Sequence, residues 1–81
     1  MTPALAFRSK TVQVDVDKLV GLRTRKNWTQ EKLADKAIVS VRTVQNIERG
    51  RPTQRSTLAR LADALGVSAR ELMFVATDGQ S

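Results

Sequence analysis

Eighty-one residues allow one small domain, and without cysteine or histidine the chain can build neither a disulfide nor the usual zinc site. Its net charge is +6, and the excess is concentrated: between Lys18 and Arg60 eleven basic residues stand against Glu31, Asp35 and Glu48 alone. Such a bias suits a surface facing phosphates, an anionic membrane or an acidic protein, while the absence of any apolar run near the roughly 20 residues of a membrane span argues for a soluble chain.

Met1–Lys10 shows no period, and Pro3–Phe7 is too short for a signal-peptide core, so residues 1–14 read as an arm and the protein is expected to stay in the compartment where it is made. Within that arm Thr11–Val14 alternates, with Val12 and Val14 on one side, as a short strand would. A lone strand is not stable, which leaves three outcomes: pairing with a second subunit, packing on the helices, or no strand at all. Asp15 is a good cap for a first helix, with Val14 and Leu19 spaced as a hydrophobic staple and Leu19 and Leu22 facing a core. Arg23, Arg25 and Lys26 then load the last turn with positive charge, where the helix dipole favours it, and Asn27 tolerates the left-handed backbone of a helix end.

From Thr29 to Gly50 the apolar positions Leu33, Ala34, Ala37, Val39, Val44 and Ile47 fall at helical spacing, interrupted once. Thr29 and Ser40 each stand where a cap is needed, and Trp28 with Leu33, then Val39 with Val44, have staple spacing. Two short helices joined by a tight bend are expected, a helix-turn-helix over residues 29–49. In the second of them Val44 and Ile47 share the core face, whereas Val41, Arg42, Gln45, Asn46 and Arg49 point elsewhere. On an isolated helix these would be ordinary solvated residues. Yet Arg, Gln and Asn are the side chains that bond base edges in pairs of hydrogen bonds, and Val can touch a thymine methyl.

Gly50 is a natural stop, and residues 51–55 form a polar, basic linker. Ser56–Leu65 makes a fourth helix with Leu58, Leu61, Ala62 and Leu65 on one face, capped by Ser56 and ending at Gly66. Ser68 and Glu71 have the spacing of a capping box, with Val67 and Leu72 as its staple. Leu72, Met73, Phe74 and Val75 close the apolar pattern as either core or dimer surface, and residues 76–81 read as a tail.

Residues 18–74 resemble the helix-turn-helix domain of the phage repressor and Cro family, also called XRE-like. The likeness is carried by Leu22-Arg23, Thr29-Gln30-Glu31, Leu33-Ala34, Val39-Ser40, Val44, Ile47-Glu48-Arg49-Gly50, Leu61-Ala62, Ala64 to Ser68 and Leu72. It implies an all-α, five-helix lambda-repressor-like domain over residues 15–75 that binds double-stranded DNA. It places Val41, Arg42, Gln45 and Asn46 against base edges, and Gln30, Thr43, Arg49, Arg51 and Arg55 along the DNA backbone. It also pairs Arg23 with Glu48 as a structural ion pair. Ile38 departs from the pattern, since the family's turn usually has glycine there. A β-branched residue is disfavoured at positive φ, so the turn either takes another shape or carries strain.

One module this small has limited reach, so by symmetry a homodimer is expected on a two-fold operator with half-site centres about 34 Å apart, acting as a bacterial or phage-encoded transcriptional repressor, cytoplasmic and nucleoid-associated. Two other functions fit the same domain: the antitoxin of a toxin-antitoxin pair, and a protein-interaction module. An enzyme is not expected, because Ser40, Ser56 and Ser68 have no base to activate them and no Gly-rich phosphate loop or paired carboxylates are present; no cofactor or metal is implied.

Overall fold

The computed structural model describes residues 11–74, which form five helices and one two-stranded antiparallel piece. In chain order these are β1 (Thr11–Val12), α1 (Val16–Arg25), α2 (Gln30–Ala37), α3 (Val41–Glu48), β2 (Thr53–Gln54), α4 (Arg55–Leu65) and α5 (Ala69–Leu72). α2 packs on both α3 and α4, α1 on α3 and α5, and α4 on α5. At the centre Leu19, Leu33, Val44, Ile47, Leu58, Leu61 and Leu72 are sealed from solvent, one or more from every helix. The amphipathic spacing of the sequence thus delivers a single shared core. None of these helices is long and apolar enough to cross a membrane.

Three helix starts are fixed by side-chain caps. Lys18 N donates to Asp15 Oδ1 at 3.2 Å, Lys32 N to Thr29 Oγ1 at 3.0 Å and Thr43 N to Ser40 Oγ at 3.1 Å. Each bond satisfies a backbone donor that the first helical turn leaves without a partner. The other two starts differ from the sequence reading. α4 begins one residue early, at Arg55, with Gln54 in the cap position and Ser56 inside the helix, and Ser68 precedes α5 without a side-chain bond. Only the Ser68 carbonyl is used, by Glu71 N at 3.0 Å, so the capping box does not form.

The four longer helices all stop in the same way. Backbone bonds run from Trp28 N to Arg23 O, Val39 N to Ala34 O, Arg51 N to Asn46 O and Val67 N to Ala62 O, at 3.0 or 3.1 Å. Each spans six residues and encloses one left-handed residue: Asn27, Ile38, Gly50 and Gly66, with φ of 60°, 59°, 95° and 78°. This is the Schellman end, for which glycine and asparagine are the favoured residues. Ile38 occupies the second such position and is 77% exposed, so it bears the backbone strain without burying apolar area in return.

The arm is partly folded. β1 pairs with β2 of the same chain, Thr11 opposite Gln54 and Val12 opposite Thr53, rather than with another subunit. On its other edge Val14 bridges Met73, with Asp15 N donating to Leu72 O at 2.8 Å and Phe74 N to Gln13 O at 2.9 Å. Val14 is buried in the core. Of the final apolar cluster Leu72 is core, Met73 packs against it and Phe74 is exposed, while Val75 and residues 1–10 and 76–81 lie outside the described part of the chain.

Replacing Ile38 with glycine relieves the left-handed strain but loosens the unfolded chain, so a net stabilisation of about 1 kcal/mol is expected. A thermal melt should move up by roughly 4–8 °C; an unchanged or lower midpoint would show that the strain is no larger than the entropy glycine adds to the unfolded chain.

Candidate nucleic-acid interface

The orientation of α3 is set by a polar cluster at its far end. Arg23 on α1 donates from Nε to Glu48 Oε2 at 2.7 Å and from Nη2 to Glu48 Oε1 at 3.0 Å, a two-pronged pair. The remaining guanidinium nitrogen donates to the Trp28 carbonyl at 2.8 Å, and Gln30 Nε2 donates to Glu48 Oε1 at 2.9 Å. The two charged side chains are only 14% and 9% exposed. A pair so far out of water has lost most of its hydration, and these extra hydrogen bonds are what make its burial tolerable. The first helix, the start of the second and the end of the third are thereby locked together.

The near end of α3 is fixed by the bend. Ser40 caps the helix and its hydroxyl lies 2.9 Å from that of Thr43, while Val39 packs on the core below. Between these anchors Arg42 is exposed and Gln45 and Asn46 are half-exposed along the outer face. A family model described as helix-turn-helix matches residues 21–72, the span that holds α2, the bend, α3 and the core they share. The chain belongs to this XRE/Cro/C1-type helix-turn-helix family. No curated protein matches it. It is therefore a sequence-specific DNA-binding regulator whose partner is double-stranded DNA.

The residues singled out in the sequence differ in how far they stand out to solvent. Arg42 stands clear on the first turn of α3, but Val41, just before it, packs partly against the core. The bend leaves only Ile38, Val39 and Ser40 between the two helices. Thr43 is half-buried beside Ser40, and the Gln30 amide uses one of its two N–H groups on Glu48, leaving the second for another acceptor.

Past α3, Arg49, Arg51 and Arg55 are all exposed. Arg55 is the first residue of α4, at the end of a helix where the dipole disfavours a cation. The start of that helix also lacks a side-chain cap.

Two features of this region went unseen in the sequence. Gln13 reaches from the arm to the Gly50 carbonyl at 3.1 Å, and β1 holds Thr53 and Gln54, so the basic loop is tied down at both ends. The alternation of Thr11–Val14 signals the arm's strand, but its partner Thr53–Gln54 is too short to leave a pattern of its own. Lys26 and Lys36 also lie 5.2 and 6.0 Å from the centre of the Trp28 ring, close enough for cation–π attraction.

Glu48→Ala leaves the Arg23 charge and the Gln30 amide without their acceptor and should lower stability by about 3–5 kcal/mol in urea unfolding. The double substitution Arg23→Met with Glu48→Met removes both charges and is expected to recover most of that loss. Equal losses in the two proteins would mean that the pair does not act as a unit.

Proposed function

We propose that the protein is a homodimeric transcriptional repressor that docks the leading turn of α3 into the major groove of a two-fold symmetric operator. The observation that carries this reading is the exposure of Arg42 on the first turn of a helix anchored at both ends, by Ser40 and by the Arg23–Glu48 pair. A guanidinium held on so fixed a support can form two parallel bonds to guanine O6 and N7. Gln45 and Asn46, one turn further along, read neighbouring bases, with Val41 confined to a methyl contact by the part of its side chain that stays open.

Backbone contacts set the register of the helix. Arg49, Arg51 and Arg55 supply the charge along one strand, with the uncapped start of α4 beside Arg55, while Gln30 donates its spare amide proton and Thr43 its hydroxyl on the other flank. A module of this size spans one half-site, so two copies related by a two-fold axis are needed for an operator of useful length. A dimer seated on promoter DNA excludes polymerase, which makes repression its simplest output.

Arg42→Ala should weaken binding to a selected operator about tenfold or more and leave binding to random duplex nearly unchanged. Fluorescence anisotropy on both duplexes decides it, and equal losses would reassign Arg42 to a phosphate. Arg51→Ala should instead weaken every sequence alike and flatten the slope of log affinity against log salt by about one unit; an unaltered slope removes it from the interface.

A further inference from the structure

We propose that two copies of the chain meet through the outward face of α1, the helices crossing antiparallel at Gly21 so that Asp17 of each faces Arg25 of the other. This rests on the dimeric reading above and names its surface. Gly21 lies in the middle of α1, is exposed, and a Cβ placed on it would meet nothing within 4 Å. Glycine is among the poorest helix formers, and nothing inside the molecule requires it here. What it does allow is the close approach of another backbone.

The surroundings fit a copy of the same surface. Asp17, Lys18, Gly21, Leu22 and Arg25 line one open groove. Asp17, Gly21 and Arg25 follow one another at intervals of four, the ridge that interlocks with an identical ridge in the commonest packing of two helices. Asp17 and Arg25 sit about 6 Å to either side of Gly21 along the axis, with opposite charge. A two-fold contact demands a self-complementary patch, and this arrangement is one. Neither residue takes part in the two ion pairs found among the described residues, Lys18–Glu71 and Arg23–Glu48. Half-buried Leu22 adds apolar area at the crossing. In a chain of charge +6, which repels its own kind, two such cross-pairs also offset that repulsion locally.

Sedimentation equilibrium of the full chain tests the surface. Asp17→Arg and Arg25→Asp should each weaken the dimer about tenfold by setting like charges opposite one another, and the combined exchange should restore it. Gly21→Met should dissociate the dimer while circular dichroism shows a melting point no lower than that of the parent, because the side chain has room in the monomer. A dimer indifferent to all these changes overturns the α1 surface and leaves the dimeric reading standing; a parent protein that stays monomeric at every concentration overturns both.

Discussion

The contact between Arg23 and Glu48 determines where α3 can lie. Burial of Leu, Val and Ile side chains draws the helices together, but that attraction has no direction and leaves rotation about each axis loosely set. A two-pronged bond of 2.7 and 3.0 Å between α1 and α3 has direction, and the bonds from Gln30 and to the Trp28 carbonyl extend the constraint to the first turn of α2. The outer face of α3 inherits its aim from this cluster. Because the carboxylate and guanidinium are each surrounded by donors or acceptors that suit them, the arrangement is all-or-none: every member depends on the others.

Repetition at the helix ends gives the same precision to the chain reversals. Four helices finish with a backbone bond spanning six residues around one left-handed residue, and after three of them an apolar side chain follows, Trp28, Val39 or Val67, that turns back onto the core. The next helix then starts within a few residues. So the bend of the helix-turn-helix is one instance of a connection used throughout the domain. Its peculiarity is only that Ile38 stands where the geometry favours glycine.

Much of this was legible because it is local. Asp15, Thr29 and Ser40 announce helix starts, and Asn27, Gly50 and Gly66 announce ends, through hydrogen-bonding reach or backbone freedom that belong to the residue itself. The core was legible through spacing. What escaped depends on distant parts of the chain. Ser56 and Ser68 have the chemistry of caps, yet pairing of β1 with Thr53 and Gln54 sets where α4 begins and leaves Ser56 one residue inside it. Val41 lies on the outer side of a helical wheel, yet part of its side chain packs against the core. Nothing in the spacing of residues 23 and 48 announces the bond between them; only the likeness to a family does. Gln13 reaching Gly50 had no signal of any kind.

The bridge between Val14 and Met73 has a consequence for how the protein comes into being. Residues near opposite limits of the described chain lie side by side, and Val14 is buried only when that closure is made. Helices α2 to α4 can associate through near neighbours in sequence, but joining the two extremities closes a loop that encloses almost everything else, the contact of greatest chain separation and hence of greatest entropic cost. On the ribosome this last step must wait until Met73 has cleared the exit tunnel. Until then Val14 has no strand to close on, and a nascent chain holds its central helices before it can draw its two ends together over them.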